Sequence, residues 1–194
     1  RRTDKRLPVW EWLTLGCPEI DLVYTYVNGS DPAHAQARFE RSGERRKDSA
    51  RYRDVDQLKY SLRSVHAYVP YVRHVWVVTD RQVPAWLNTA HPAITVIDHR
   101  TIFKARPDAL PTFNSNSIEL NMHNIPGLAE CFLYLNDDMF FGGPSEPSHF
   151  WLHHTGQQVL YFEGWTAATT EAEIAKLRNI WKKAVAHSNT LLDR

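Results

Sequence analysis

The chain has 194 residues, about one domain's worth, and its 43% hydrophobic and 23% charged content argues against a globally disordered polypeptide. A formal net charge of +1 gives no field suited to nucleic acid, and no apolar run reaches the roughly 18 residues of a membrane span. The basic start Arg1–Arg6 is followed by no apolar stretch and is not a secretory signal. Cys17 and Cys131 stand far apart and outside any metal spacing, which supports neither a disulfide framework nor a zinc site and leaves the redox compartment open. Seven Trp and an aromatic content of 12% suit a large core or a sugar-binding cleft.

Ile20–Val27 is a β-rich run broken by Asn28-Gly29-Ser30-Asp31-Pro32, which predicts a buried strand ending in a tight loop. A helix is expected over Ala33–Glu40, followed by a charged stretch, Arg41–Arg53, that reads as a solvated loop or helix extension. Val55, Leu58, Leu62, Val65 and Val69 recur at helical spacing. They predict a helix over Asp54–Val69, capped by Asp54 with Gln57 as its box partner and stopped by Pro70.

His74–Thr79 reads as a second strand ending at Asp80, Pro84–Asn88 as a helical turn, and Ile94–Ile97 as a third strand ending at Asp98-His99. Ser115–His123 suits a helix with Ile118 and Met122 on one face. Cys131–Leu135 suits a fourth strand ending at Asn136-Asp137-Asp138. A short strand is expected over Gln158–Phe162, and a last helix over Glu171–Leu192 with Thr170 and Glu173 as its capping box. Strands separated by helical segments imply an α/β fold with a mainly parallel sheet and flanking helices. Ligands of such sheets sit beyond the carboxyl ends of the strands, where these four strand ends collect polar and acidic residues.

Asp137 and Asp138 are adjacent carboxylates after an apolar strand, costly unless a cation or hydrogen bonds compensate them. Mg²⁺ or Mn²⁺ shared with substrate phosphates would satisfy them, and an acidic turn is the plain alternative. Asn28-Gly29-Ser30 offers backbone N–H groups to a nucleotide, with Asp31 as a second polar group. The same three residues match the glycosylation pattern, but their position favours a pocket. Lys59 and Arg63 share a helix face, where Arg63 can hold phosphate bidentately and Lys59 acts as a point charge, or both are simply solvated. Leu110–Glu119 packs hydroxyl and amide side chains around Phe113, which suits sugar binding or helix capping. His99 and His123 are acid–base candidates near neutral pH, although a lone His is more often structural. The absence of Gly-x-Ser-x-Gly, Walker and Gly-x-Gly-x-x-Gly motifs disfavours serine hydrolases, P-loop enzymes and Rossmann dehydrogenases.

Several of these segments, in order, resemble the Stealth family of sugar-phosphate transferases. Asp21–Pro32 is similar to its first block, with Tyr26 where the family usually has Trp. Arg53-Asp54, Leu58–Ser64, Thr79–Leu87, Leu110–Glu119 and Tyr134–Asp138 are similar to the second, and Trp181–Asp193 to the start of the third. The family includes the catalytic subunit of the lysosomal-enzyme N-acetylglucosamine-1-phosphotransferase, bacterial capsule polymerases and a fungal xylosylphosphotransferase.

The resemblance implies a Rossmann-like domain of nucleotide-sugar-transferase type over residues 20–194, after an N-terminal extension of residues 1–19. It also implies that this domain is cut within the third block, without the fourth. The expected reaction moves a sugar 1-phosphate from a nucleotide sugar, a UDP-sugar such as UDP-N-acetylglucosamine, to a glycan hydroxyl and releases UMP. A metal-dependent glycosyltransferase moving the sugar alone and a non-catalytic nucleotide-sugar-binding module are the alternatives.

In that reading Asp137 and Asp138 hold Mg²⁺ or Mn²⁺, and Arg63 with Lys59 neutralises phosphate. Asn28, Gly29, Ser30 and Asp31 cradle the nucleotide. Phe113, Asn114, Ser115, Glu119 and Asn136 complete the nucleotide-sugar site, and Asp80 or His99 serves as base. The expected partners are the donor and a glycan acceptor, with no nucleic acid and with homo-oligomer formation and membrane anchoring of a longer protein left open. The expected location is the Golgi lumen in a eukaryote or the cytoplasmic side of the inner membrane in a bacterium.

Overall fold

The structure, a computed structural model, describes residues 17–43, 54–151, 170–178, 182, 183 and 186. Two compact units divide the chain, Arg1–Gln158 and Val159–Arg194. The first holds a four-stranded, all-parallel sheet of β1 (Ile20–Thr25), β2 (Val72–Thr79), β3 (Ile94–Asp98) and β4 (Cys131–Asn136), in the order β3-β2-β1-β4. The expected α/β, Rossmann-like architecture is present.

Alternation along the strands sends side chains to opposite faces, and both faces are covered. Leu22, Tyr24, Val75 and Val77 pack with Leu58, Val65 and Val69, which α2 (Gln57–Tyr68) and its C-cap supply. Val23, Trp76, Val78 and Ile97 pack on the other face with Ile102 of α3 (His99–Ile102) and Ile118 of α4 (Ser115–Glu119). Burial on both faces explains why the strands read as nearly unbroken apolar runs. The first helix, α1 (Pro32–Ser42), starts at the N-cap Asp31, whose side chain accepts from the Ala33 N–H, and ends at Gly43 with φ +69°. That left-handed C-cap is a conformation glycine adopts without a Cβ clash.

Three expectations change. The helix after the charged stretch begins at Gln57, and its N-cap is Asp56, left-handed at φ 61° and without a side-chain cap bond. Asp54 does not cap it, because its carboxylate accepts from the Tyr26 hydroxyl and the Asp56 N–H. Val55, expected on the apolar stripe, is 62% exposed. The Ser115–His123 helix stops at Glu119 and gives way to a 3-10 turn over Met122–Asn124, although Ile118 and Met122 are both buried as expected.

In the second unit, α5 (Glu171–Lys176) carries the expected Thr170–Glu173 capping box. It ends at Leu177, whose ψ of 128° is extended, rather than running on unbroken to Leu192. Beyond it residues 182, 183 and 186 are again helical. The strand expected over Gln158–Phe162, most of the N-terminal extension and most of Arg41–Arg53 lie outside the described residues. Among the described residues no helix is long and apolar enough to cross a membrane.

Cys17 and Cys131 form a disulfide across a separation of 114 residues, contrary to the reading of their spacing. Pairing of β1 with β4 sets Ile20 opposite Cys131 and so brings Cys17 within reach. The bridge sits in a small cluster with Ile20 and Trp151. Reducing it, or replacing both cysteines by Ala, is expected to cost about 2–4 kcal/mol, read as a lower midpoint in chemical denaturation. An unchanged midpoint would show that the bridge contributes nothing.

The amino-terminal edge of the sheet is closed by an ion pair between a buried aspartate and an exposed arginine. Asp21, fully buried, accepts from Arg73 Nε at 2.8 Å and Nη2 at 2.6 Å, from Trp76 Nε1 at 2.8 Å and from the Ala129 N–H at 2.9 Å. Arg73 also reaches Glu19 at 2.8 Å and the Gly127 carbonyl at 3.0 Å. One carboxylate thereby joins β1, β2 and the approach to β4.

Candidate functional site at the carboxyl edge

The strand order reverses at β1: the chain moves out through β2 and β3, then returns to place β4 on the far side of β1. Such a reversal parts the loops above the sheet and opens a crevice at the carboxyl ends of the two strands. Here that crevice lies between the loop Asn28–Asp31 and the turn Asn136–Asp138. The two motifs that sequence reasoning singled out independently are brought to one place by topology.

A cleft of about 490 Å³ opens beside the β1 end. Its lining includes Tyr26, Asn28 and Asp31 from that strand and loop, Asp54 and Asp56 from the approach to α2, and Arg81–Trp86 from the β2–β3 connection. Tyr26 donates to Asp54 at 2.6 Å, and Trp86 Nε1 donates to Asp56 at 2.9 Å. Burial, then Asp54 and Asp137, push the Tyr26 hydroxyl well above the ordinary tyrosine range, so it stays protonated and donating. Asp56 and Arg81 are both non-glycine residues at positive φ, 61° and 59°. Each such conformation costs about 1–3 kcal/mol and persists where surrounding structure imposes it, a pattern that clusters at functional sites.

Across the crevice, burial followed by the charges of Asp138 and Asp54 pushes the Asp137 carboxyl up to about 6. Its turn is tight, with the Met139 N–H returning to the Asn136 carbonyl at 3.1 Å. The segment beyond is pinned to α2. Ser61 Oγ bonds the Tyr24 hydroxyl at 2.5 Å and donates to the Met139 carbonyl, while Ser64 Oγ accepts from the Phe141 N–H at 3.0 Å. A core tyrosine and two helix serines therefore set the position of the paired carboxylates.

A divalent cation suits this donor set. Asp137 and Asp138 supply hard oxygen ligands, and Asp137 carries a charge that its surroundings leave under-compensated. Among the described residues no three His, Cys, Asp or Glu side chains form a metal cage. The set instead matches a cation that takes one or two carboxylates and draws its other ligands from substrate phosphate and water.

A second polar group stands on the β4 side. The Tyr134 hydroxyl lies 2.6 Å from Asn136 Oδ1, 3.0 Å from Thr25 Oγ1 and 3.2 Å from Glu119 Oε1. Burial, with Glu119 adding to it, pushes that hydroxyl up to about 12. Glu119 and Asn136, both expected in the sugar site, are thus brought together by Tyr134, which sequence reasoning passed over.

The other expected residues are placed less centrally. Asn28, Ser30 and Asp31 spend their backbone N–H groups on Gln82 Oε1, Asn28 Oδ1 and the Asn28 carbonyl. Among the described residues only Gly29 of that loop has an N–H with no internal bond, so the expected backbone cradle narrows to one position. Lys59 lies 5.9 Å over Trp86, at the cleft wall. Arg63 is exposed and stacks 5.3 Å from Tyr60, and among the described residues no hydrogen bond or ion pair joins it to the crevice.

Asn114 caps α4 by accepting from the Asn116 N–H, which is the structural alternative, and Ser115 is that helix's exposed first residue. Phe113 meets the edge of His34, at the start of α1, at 5.2 Å. Asp80 pairs with Arg81 at 3.0 Å. His99 is only 7% exposed, and its Nδ1 has no hydrogen-bond partner. Burial pushes its pKa down against the pull of Asp80 and Asp98, so it is a neutral, enclosed imidazole. His123 is exposed in the 3-10 turn.

Asp54, Asp56, Tyr26, Gln82 and Trp86 are among the cleft residues not anticipated. Two aspartates straddling Val55 just before an amphipathic helix were the available signal, and the ordinary preference for Asp at an N-cap masked it.

Residues 51–159 match the family model described as Stealth protein CR2, conserved region 2. The chain is 54% identical over 136 residues to an exopolysaccharide phosphotransferase of Streptomyces coelicolor, covering 69% of this chain and 23% of that protein. It is 46% identical over 138 residues to the exopolysaccharide phosphotransferase Cps2G of Lactiplantibacillus plantarum, covering 71% of this chain and 40% of that protein. It is 44% identical over 137 residues to the exopolysaccharide phosphotransferase CpsY of Mycobacterium tuberculosis, covering 68% and 25%. The chain thus spans less than half the length of each of these relatives.

Proposed function

Because the chain belongs to the Stealth family through its conserved region 2, we propose that it forms the donor site of an exopolysaccharide phosphotransferase. The reaction is transfer of a sugar 1-phosphate from a nucleotide sugar, a UDP-sugar, to a hydroxyl of an acceptor glycan. The observation that carries this reading is the convergence of the Asn28–Asp31 loop and the Asp137–Asp138 pair on the strand-order reversal. The names of the relatives support the phosphotransfer class.

In the proposed step the acceptor oxygen bonds to the phosphorus that carries the sugar. The bond from that phosphorus to UMP breaks, and the hydroxyl proton passes to a base. Phosphoryl transfer needs positioning and charge neutralisation more than covalent help. Mg²⁺ or Mn²⁺ held by Asp137 and Asp138 would supply neutralisation at the diphosphate. Tyr26 keeps Asp54 hydrogen-bonded beside Asp137, and α2 fixes the turn through Ser61 and Ser64. Glu119, Tyr134 and Asn136 offer acceptors and donors suited to sugar hydroxyls. The Cys17–Cys131 bridge supports an oxidising compartment for this part of the protein.

The test is product analysis of the full-length protein with a UDP-sugar and an acceptor glycan. Release of UMP with a phosphodiester product is expected. Release of UDP would make the protein an ordinary glycosyltransferase, and binding without either product would make it a non-catalytic module.

A further inference from the structure

We propose that Gln82 is a positioning residue for the donor, holding the Asn28–Asp31 loop in the conformation that receives the nucleotide sugar. The inference rests on the donor-site reading of that loop. Gln82 extends from the β2–β3 connection to the loop after β1 and pairs with the Asn28 residue as a second strand would. Its Oε1 accepts from the Asn28 N–H at 2.8 Å, and its Nε2 donates to the Asn28 carbonyl at 3.1 Å. The same Nε2 also donates to Asp31 Oδ2 at 3.0 Å. Both amide donors and one acceptor lobe are therefore committed to the two ends of one four-residue loop.

No other side chain of this length offers that combination: Glu lacks the donors, Lys lacks the acceptor, and Asn is one methylene short. Asp31 in turn caps α1 through the Ala33 N–H, so Gln82 fixes the loop together with the helix it feeds. The residue before it, Arg81, sits at φ 59°. A sparsely populated backbone conformation immediately before a three-bond anchor points to a position that the surrounding fold imposes. Asn28, Asp31 and Gln82 all line the cleft, so the loop that Gln82 orders is the wall a ligand there would meet. Ordering it before binding lowers the entropy a ligand must offset, which appears as affinity.

The test compares the wild-type chain with Gln82→Glu and Gln82→Met by calorimetric titration of UDP-N-acetylglucosamine with Mg²⁺, alongside thermal melts. Gln82→Glu keeps the length and the acceptor but sets a carboxylate against Asp31 and the Asn28 carbonyl. At about pH 7.5 it is expected to bind roughly tenfold or more weakly, while its melting temperature stays within about 3 °C of wild type. Near pH 5, where repulsion from Asp31 favours the protonated acid and restores a donor, the deficit relative to wild type at the same pH should shrink by about threefold or more. Gln82→Met should stay weak at both pH values. A purely structural glutamine would shift the melt and leave no pH-dependent affinity ratio.

Equal affinity of wild type and Gln82→Glu near neutral pH overturns the proposal, as does equal affinity of Gln82→Met. A folded wild type that binds none of a panel of nucleoside diphosphate sugars shows instead that the donor-site reading has failed, and the role of Gln82 falls with it.

Discussion

Asp137→Asn is expected to make the metal-free protein more stable and to abolish turnover in the full-length enzyme. The Asp137 carboxyl is pushed up to about 6 by burial and by its acidic neighbours, from an ordinary value of 3.8. Folding therefore carries a penalty that is absent below about pH 4, grows between about pH 4 and 6, and is complete above that. With the partial exposure of the group discounted, it amounts to about 1–2 kcal/mol, or about 2–6 °C in melting temperature.

Asn removes the charge and keeps the shape. In EDTA the variant should melt higher than wild type at about pH 7.5, and the two should converge near pH 4. Mn²⁺ should raise the melt of the wild type and not that of the variant, because a ligand that binds only the folded state stabilises it. A variant that melts lower than wild type at every pH would show that Asp137 is a structural hydrogen-bonding group, not a charge held ready for a cation.

The largest stability effect is expected at the opposite edge of the sheet. Burial of Asp21 opposes its ionisation, but hydrogen bonds from Arg73, Trp76 and Ala129 outweigh that and hold the carboxyl below its ordinary 3.8. Asp21→Ala leaves the buried Trp76 Nε1 and the Ala129 N–H without their acceptor, so it should cost about 2–5 kcal/mol near neutral pH. Since the folded-state pKa is depressed, the contribution is fully present above about pH 4 and is lost as pH falls through the folded value. The gap between wild type and variant in urea midpoints should therefore close on acidification. A modest narrowing of the gap with added salt is expected, because the Arg73 end of the pair is 38% exposed and open to screening. A loss below about 1 kcal/mol at neutral pH would show that the hydrogen bonds to Asp21 add little to stability.

Much of the fold is visible in the sequence because the physics is local there. Runs such as Leu22-Val23-Tyr24 and Trp76-Val77-Val78 are apolar without alternation, as strands buried on both faces must be. The Thr170–Glu173 box is likewise a contact between near neighbours. What the sequence hides depends on strand order. Cys17 meets Cys131 only because β4 returns beside β1, and no spacing rule contains that fact. Asp54 looks like a helix cap until Tyr26, the residue after β1, claims its carboxylate. Gln82 and Tyr134 carry no chemical signature in isolation, and their roles exist only in what they bridge. The candidate site was legible as two separate motifs, Asn28–Asp31 and Asn136–Asp138, and the reversal at β1 is what makes them one.

In the proposed function the nucleotide sugar lies across this reversal, between the β1 loop and the β4 turn. Its most direct test is amide NMR of the chain titrated with UDP-N-acetylglucosamine and Mg²⁺. The largest shifts are expected on residues 25–31, 80–86 and 136–139, with Asp137→Asn suppressing them. Shifts centred on the amino-terminal edge around Asp21 and Arg73, or shifts in the crevice unaffected by Asp137→Asn, would contradict it.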